Sequence, residues 1–300
     1  GFTYRILERS GARMDDGLPV PIRPDGMACF DLPGEGWVLT RNHELPVGVP
    51  GPGRPAYDPA AGGGVSRLVI DPDTLTRRSS NLLLAGTAMN CSGGAGAGGW
   101  LSCEEAVDPG HGFVFLCDPT ADGAREPVRL DALGRFRHEA AATDLDTGVV
   151  YLTEDRPDGC LYRFVPEGPS APYAGRLQAL AIGGTSADTG AWARGRRAEH
   201  HWIDLERPAP EEDVLRLEAR SRGAAVIRRG EGACLADGAL YVCATSGGPI
   251  GAGQILRLED GPDGGELEVL AASTDRAELD MPDNVAISPG GLLVFVEDGP

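Results

Sequence analysis

One short pattern recurs along the chain with an almost constant spacing. A glycine followed by alternating apolar residues begins at Gly64, Gly112, Gly159 and Gly253. The first two intervals are 48 and 47 residues, and the last is 94, which is twice 47. A repeat of about 45 residues made of short strands and turns is typical of a β-propeller blade. We therefore predict equivalent strands near 65–70, 112–117, 160–165 and 254–258.

The doubled interval implies one repeat with a weaker pattern, and His201-Trp-Ile-Asp-Leu offers a degenerate strand near residue 206. The 44 glycines and 24 prolines are spread along the 300 residues, as expected for many tight turns. Only about 207–222 has helical character. We predict an all-β fold: a single β-propeller domain over residues 1–300 with about six blades.

The two ends of the chain suggest how the last blade is completed. An apolar strand at 292–297 ends just before the final residues, where the repeat requires a partner strand. The segment Gly1-Phe-Thr-Tyr-Arg-Ile resembles Gly159-Cys-Leu-Tyr-Arg-Phe and could pair there, which would remove exposed sheet edges. Alternatively, the C-terminus is truncated and the last blade is incomplete.

A second type of strand ends in acidic residues. These endings are His43-Glu44, Glu104-Glu105, Glu154-Asp155 and Glu297-Asp298, and nearby segments add Glu139, Glu231, Asp283 and Asn284. In a propeller, equivalent strand ends meet at the central channel, so these side chains are expected to converge. Clustered carboxylates repel one another unless cations neutralise them, and oxygen ligands suit Ca²⁺, Mg²⁺ or Fe³⁺. Individually, each pair could instead be an ordinary turn or cap.

The net charge of −18 excludes some partners. Nucleic acid and anionic membrane surfaces would be repelled, and no apolar run is long enough for a transmembrane helix. We expect no nucleic-acid partner, no membrane span and a monomer. The chain begins at Gly1 rather than Met, so we expect any signal segment to be absent from it.

Cys91 differs from the other six cysteines. It lies in the glycine-rich segment from Gly86 to Glu105, where glycines allow close backbone approach to a ligand and a cation could stabilise a thiolate. By contrast, Cys117, Cys160 and Cys243 fall in apolar strand patterns. The segment could also be a flexible surface loop, but it fits neither a P-loop nor a dinucleotide-binding fingerprint.

Several motifs together resemble the PhoX alkaline phosphatase family, in the same order and over nearly the whole chain. They are Asp25-Gly-Met, Asn42-His-Glu44, Asn90-Cys91-x-Gly-Gly, Trp100-Leu-x-Cys-Glu-Glu105, His138-Glu139, Tyr151-Leu-Thr-Glu-Asp155, Tyr162-Arg-Phe and Asp283-Asn284. The resemblance implies a propeller with a central iron and calcium cluster, hydrolysis of phosphate monoesters and a periplasmic or secreted location. It also implies that Cys91 is a thiolate ligand and that Glu104, Glu105, Glu154 and Glu231 are carboxylate ligands.

A small phosphorylated substrate requires positive charge, and Arg228 and Arg229 just before Glu231 are the candidate clamp for phosphate oxygens. Both could instead be ordinary strand charges. Two rival functions remain. One is a calcium-dependent lactonase or sugar-acid hydrolase of the gluconolactonase type, for which Asp283-Asn284 would be suitable. The other is a non-catalytic binding propeller in which metal is only a structural pin.

Overall fold

The computed structural model describes residues 3–183 and 187–299. The chain forms two compact units, Gly1–Arg129 and Leu130–Pro300, and nearly all of its regular structure is antiparallel β-sheet. No helix in the described ranges has both the length and the apolar character that crossing a bilayer requires.

Unit 1 contains two four-stranded sheets, each with its strands paired in chain order. The first sheet consists of β1 (Pro24–Leu32), β2 (Gly36–His43), β3 (Gly63–Ile70) and β4 (Arg77–Thr87). The second consists of β5 (Asn90–Gly96), β6 (Gly99–Glu104), β7 (Val114–Cys117) and β8 (Val128–Arg129). Such four-stranded meanders are the building blocks of propeller blades.

Unit 2 contains a nine-stranded sheet and a terminal hairpin. The strands are β9 (His138–Thr143), β10 (Val150–Glu154), β11 (Leu161–Gly168), β12 (Ala171–Ile182), β13 (Arg197–Leu205), β14 (Gly230–Ala236), β15 (Ala239–Ala244), β16 (Gln254–Glu259) and β17 (Gly265–Ala272), followed by β18 (Pro282–Ile287) and β19 (Leu293–Glu297). The one α-helix of the described residues, α1, spans Leu215–Ser221, and short 3₁₀ turns cover Asp131–Leu133 and Thr189–Ala191. The nine-stranded sheet joins two meanders, β9–β12 and β14–β17, through β13.

The predicted periodic strands are confirmed. They correspond to β3, β7, β11 and β16, and each is the third strand of its meander. The fold class predicted from the sequence, an all-β chain of propeller type, is therefore correct. About six blades remains a prediction, since the described residues contain four such meanders and one two-stranded hairpin.

The degenerate repeat near residue 206 is a strand but not a separate blade. β13 pairs with β12 along Leu177–Ile182 and with β17 along Gly265–Glu268, so it bridges two meanders. Its side chains alternate only weakly between buried and exposed, which leaves it without a hydrophobic face for a sheet of its own.

Alternating apolar side chains fill the interior of each unit. In unit 1, Trp100, Phe113 and Phe115 pack with Leu84. In unit 2, residues such as Leu240 and Leu256 belong to a larger cluster. Burial of one such side chain contributes roughly 1.5–3 kcal/mol, so these clusters hold the strand ends in fixed positions.

The closure of the last blade by the N-terminal segment stays a prediction, and Gly1 and Phe2 of that segment lie outside the described residues. Residues 3–7 have no strand assignment, and Tyr4 is 92% exposed. Arg5 instead donates from Nη1 to the Thr74 carbonyl at 2.7 Å. Within the described ranges, β19 pairs with β18 alone. The single-domain organisation stays a prediction.

Candidate metal centre

Five β-hairpins share one register at the same end. We number them hairpin 1 (β1–β2), hairpin 2 (β5–β6), hairpin 3 (β9–β10), hairpin 4 (β14–β15) and hairpin 5 (β18–β19). Starting from the pair at this end, an advance of three residues along the first strand corresponds to two residues along the second strand in every hairpin. In hairpin 1, for example, Pro24 pairs with His43 and Met27 pairs with Arg41. The extra residue is a β-bulge, which interrupts the ladder and re-aims a side chain.

The bulge places a metal-ligating type of side chain at one position in all five hairpins. We call the residue that follows the first paired residue of the first strand the bulge position. The bulge positions hold Asp25, Cys91, Glu139, Glu231 and Asp283. Carboxylates and thiols are ligands of cations, so the bulge position of each hairpin carries a possible metal donor.

A second equivalent position follows the end of the second strand, and we call it the exit position. The exit positions hold Glu44, Glu105, Asp155, Thr245 and Asp298. Each of these residues donates its backbone N–H to a carbonyl oxygen just before the first strand, at 2.8–3.2 Å. The acceptor is the residue that precedes the first paired residue of that strand. In four hairpins the accepting residue has a φ of 49–55°: Arg23, Met89, Arg229 and Met281. Such left-handed non-glycine residues cost about 1–3 kcal/mol each and are concentrated at functional sites.

Hairpins 1 and 2 bring three predicted ligands together in unit 1. One ligand atom each from Glu44, Cys91 and Glu105 lies within 4.8 Å of the other two, and all three residues are half-buried. The Cys91 sulfur is also 3.8 Å from Oδ2 of Asp25, the bulge residue of hairpin 1. A site with carboxylates and one thiolate suits a transition metal ion better than it suits Ca²⁺ or Mg²⁺, which prefer oxygen ligands alone.

The glycine-rich segment that carries Cys91 is a β-hairpin and not a loop. Its glycines serve close packing, because a Cβ at Gly93 would lie 2.0 Å from the Leu101 carbonyl oxygen and a Cβ at Gly99 would lie 2.1 Å from that of Cys117. The sequence interpretation of a flexible loop around Cys91 was therefore wrong.

Glu104 is adjacent to this group, but its carboxylate is used inside the protein. Oε1 accepts hydrogen bonds from the Ala88 N–H and from Nδ1 of His111, both at 2.7 Å. Oε2 accepts from the N–H groups of Gly112 and Phe113 at 2.8 and 3.1 Å. Glu104 thus ties the turn before Cys91 to the segment after Glu105.

In unit 2, Arg229 lies between two predicted ligands. Its Nε and Nη2 donate to the two carboxylate oxygens of Asp155 at 2.8 and 3.2 Å, and Nη2 also donates to Glu231 at 2.7 Å. Burial raises the pKa of Asp283, and the charge of Asp298 raises it further. The carboxylates of Asp155, Glu231, Asp283 and Asp298 carry more negative charge than the guanidinium of Arg229 neutralises. This group of unit 2 therefore also favours cations.

Hairpin 3 places its two predicted ligands differently. Glu139 is buried at the bulge position. Glu154 is fully buried, and its Oε2 accepts from the Cys160 N–H at 3.1 Å and from the Tyr162 hydroxyl at 2.9 Å. Burial raises the pKa of Glu154 to about 7, and among the described residues its Oε1 has no hydrogen-bond partner.

The remaining predicted residues lie nearer to solvent. Asn284 is exposed, and its Oδ1 accepts from the N–H of Val285 at 2.8 Å. Glu297 is exposed and accepts from the Asp280 N–H at 2.8 Å. Arg228 forms a salt bridge at 2.7 Å with Asp188, and both side chains are more than 40% exposed. The structure does not bring these three side chains into either group.

Sequence reasoning did not select Asp25 as a ligand, although the Asp25-Gly26 motif was among the features that carried the family resemblance. The signal was an acidic residue followed by glycine, repeated at Glu231-Gly232. A Cβ at Gly26 would lie 2.7 Å from Cα of Ser92, and a Cβ at Gly232 would lie 2.6 Å from Cα of Asn284. Each glycine lets the bulge of the next hairpin pack closely.

Three solved structures that resemble this chain are distant from it in sequence. A carbohydrate-active enzyme of family AA12 from Trichoderma reesei is 13% identical, with a TM-score of 0.50 over 92% of this chain and 90% of that one. A putative 6-phosphogluconolactonase from Bacteroides uniformis is 14% identical, with a TM-score of 0.45 over 94% and 79%. The PQQ domain of a pyranose dehydrogenase from Coprinopsis cinerea is 11% identical, with a TM-score of 0.46 over 97% and 91%. The first likeness supports the fold alone.

Sequence comparison is more specific. No curated protein matches the chain significantly. The family model described as alkaline phosphatase PhoX, however, matches residues 58–300, which include Cys91, Glu105 and the whole of unit 2. Because that match covers most of the chain, the chain belongs to the PhoX alkaline phosphatase family.

Proposed function

We propose that this chain hydrolyses phosphate monoesters at a metal centre held in part by Glu44, Cys91 and Glu105. The observation that carries the proposal is that one ligand atom of each residue lies within 4.8 Å of the other two. Membership of the PhoX family supports a hydrolase that acts on phosphate esters.

The donor chemistry fits two kinds of cation. The thiol and two carboxylates of unit 1 suit iron, whereas the oxygen-only group of Asp155, Glu231 and Asp283 in unit 2 suits calcium. When bound, such cations offset the negative charge of the phosphate and of the transition state. We propose iron and calcium as the resident metals, in agreement with the family resemblance.

The chain itself supplies a positioned guanidinium. Asp155 and Glu231 hold Arg229 in one orientation, which lowers the entropy lost when it binds a phosphate oxygen. Nε and Nη2 of Arg229 donate to these carboxylates, so Nη1 is the group that would donate to a phosphate oxygen. We therefore assign the phosphate-binding role to Arg229, while Arg228 is engaged with Asp188.

Burial strengthens the electrostatic effect of two carboxylates in unit 2. Glu139 and Glu231 are at most 5% exposed, so their charges act in a less polar surrounding than water. Glu104 and Glu154 keep the neighbouring backbone fixed, and we propose structural roles for both in place of direct ligation.

The oxygen-only group of unit 2 favours one alternative. The carboxylates of Asp155, Glu231 and Asp283 would suit a single Ca²⁺ of a lactonase or sugar-acid hydrolase. The thiol at Cys91 has no role in that reaction, and for this reason we rank it second. A non-catalytic binding protein with structural metal is the third possibility.

A metal inventory combined with two assays tests the proposal. The purified protein is analysed by inductively coupled plasma mass spectrometry and assayed with p-nitrophenyl phosphate and with gluconolactone. Iron with calcium and phosphatase activity would support it. Calcium alone with lactone hydrolysis would favour the alternative, calcium without either activity would favour the binding protein, and absence of metal would contradict both catalytic functions.

The family is typically exported, and we propose a periplasmic or secreted location for this chain. We also propose that it acts as a monomer on a small phosphorylated substrate. Size-exclusion chromatography with light scattering would test the oligomeric state.

A further inference from the structure

Asn42 lies on β2, two residues before Glu44, and its side chain is fully buried. Its Oδ1 accepts hydrogen bonds from Nε1 of Trp100 at 2.8 Å and from the Ser102 hydroxyl at 2.9 Å. Its Nδ2 donates to the carbonyl oxygens of Cys91 at 3.1 Å and Ser92 at 2.7 Å. All the donors and acceptors of the amide are therefore used.

The chemistry of the partners determines which way this amide points. The indole N–H of Trp100 can only donate, so it must face the oxygen of Asn42. The amide nitrogen must then face the carbonyls of Cys91 and Ser92, which can only accept. No other orientation of the side chain satisfies these partners.

These two carbonyls lie in the bulge of hairpin 2. The paired residues on either side are Asn90 and Gly93, so the regular ladder to β6 lapses between them. The amide of Asn42 supplies donors to this stretch of backbone from the neighbouring hairpin. Since Glu44 follows the end of β2 two residues after Asn42, this side chain links the backbone of two of the three clustered ligand residues.

Unit 2 contains the same arrangement at equivalent positions. Thr153, like Asn42, is the residue before the last residue of its strand, and its hydroxyl donates to the carbonyl of Glu231 at 2.6 Å. Glu231 occupies the bulge position of hairpin 4, as Cys91 does in hairpin 2. A buried side chain of one hairpin thus holds the bulge carbonyl of another in both units.

We propose that Asn42 is a positioning residue, which holds the bulge carbonyls so that the Cys91 sulfur faces Glu44 and Glu105. The consequence for ion binding rests on the proposed metal centre. The hold on Cys91 itself is a property of the chain and can be measured without metal.

The test compares Asn42→Asp with the wild type. The carboxylate keeps the shape and the acceptor for Trp100, but it places an oxygen against the Cys91 and Ser92 carbonyls and so should release the bulge. Metal-free protein is treated with iodoacetamide, and peptide mass spectrometry gives the alkylation rate of Cys91 relative to that of exposed Cys29. We expect this ratio to rise at least about fivefold as the sulfur becomes accessible.

A second readout follows binding of Co²⁺ through the thiolate-to-cobalt absorption band. We expect the affinity of Asn42→Asp for Co²⁺ to fall about 10- to 100-fold, as for other residues that orient metal ligands. Asn81→Asp is the matched control, because Asn81 is also buried in unit 1 and donates to the carbonyls of Leu82 and Ala121. It should leave the Cys91 ratio and the affinity unchanged.

Asn42→Ser, which adds no charge, carries the test if Asn42→Asp does not fold. An unchanged Cys91 ratio in the folded variant, or an equal change in Asn81→Asp, would overturn the proposal. Failure of both Asn42 variants to fold beside a folded Asn81→Asp would also overturn it, since Asn42 would then support the whole unit. If the wild type binds no Co²⁺, the metal centre is in doubt, and the alkylation ratio still decides the role of Asn42.

Discussion

Arg163 donates from Nη1 to Oδ2 of Asp260 at 2.7 Å, and each side chain keeps only 6% of its surface exposed. Asp260 also accepts from Nε2 of His200, Nε1 of Trp202 and the Tyr151 hydroxyl. This carboxylate connects strands β10, β11 and β13 of unit 2. It is remote in sequence from every predicted ligand and gives a measure of fold stability separate from metal binding.

Asp260→Asn should destabilise unit 2 strongly. The amide cannot accept all four hydrogen bonds, and it leaves the Arg163 guanidinium buried without a counter-charge. We expect a loss of about 3–5 kcal/mol in the free energy of unfolding, measured by urea denaturation. Asp263→Asn, at an exposed position three residues away, should change it by less than about 0.5 kcal/mol. Equal effects of the two substitutions would contradict a stabilising role for the buried carboxylate of Asp260.

The same carboxylate should make stability depend on acid pH. Burial alone would raise the pKa of Asp260, but the hydrogen bonds from His200, Trp202, Tyr151 and Arg163 lower it well below its ordinary value. Its contribution is therefore complete above the unfolded pKa near 4 and is lost as the pH falls below that value. Denaturation at pH 3 and pH 6 should show a larger difference for the wild type than for Asp260→Asn. An equal difference between pH 3 and pH 6 in the wild type and in Asp260→Asn would contradict the lowered pKa of Asp260.

Cys91→Ala should remove the bound transition ion and the phosphatase activity while the fold is kept. Cys91 is half-buried, so the substitution leaves little cavity. Cys243 is fully buried, and Cys243→Ala should instead lower the free energy of unfolding by about 1–2 kcal/mol with metal content unchanged. Metal analysis and thermal denaturation of both variants measure the difference. Full iron content in Cys91→Ala would rule out the thiolate ligand.

Arg229→Ala should reduce kcat/KM for p-nitrophenyl phosphate by about 100-fold or more, because a preorganised donor to the phosphate is lost. Arg228→Ala should reduce it by less than about threefold, since that side chain forms an exposed salt bridge with Asp188. Similar losses in the two variants would restore the sequence prediction that both arginines contact the substrate. If neither variant loses activity, the phosphate clamp lies elsewhere.

Gly93→Ala should disrupt the hairpin that carries Cys91. The added Cβ would lie 2.0 Å from the Leu101 carbonyl oxygen, at a φ of 156°. We expect a loss of more than about 2 kcal/mol in the free energy of unfolding. Gly123→Ala should be nearly neutral, since no atom lies within 4 Å of its added Cβ. A neutral Gly93→Ala would mean that the backbone can move apart at this point.

Strand periodicity was readable from the sequence because the third strand of each meander is largely buried and has a glycine at or just before its start. The acidic ends of the second strands were readable because each follows a short apolar segment. Of these acids, Glu44 and Glu105 lie close together in the structure. The alternation of side chains along a strand does not show how two strands are offset. The bulge that aims Cys91 is a property of pairing between β5 and β6, so it could not be seen in either strand alone.

The roles of buried acids were also hidden in the sequence. Glu104 and Glu105 are neighbours of the same type, yet the carboxylate of the first accepts four internal hydrogen bonds while the second contributes to the cluster. Strand alternation sends successive side chains to opposite faces, but the partners on each face come from distant segments. Only the folded chain shows that His111 is beside Glu104.

The repeated bulge has a consequence for how such a centre can change. Each hairpin delivers its donor from one register position, so a substitution there alters the ion preference while the ladder that supports it stays the same. Hairpin 2 carries Cys91 at the position where the other four hairpins carry carboxylates. Relatives with this scaffold could shift between hard and soft ions through single codon changes at the bulges, and the bulge residues are therefore the positions to compare when their activities differ.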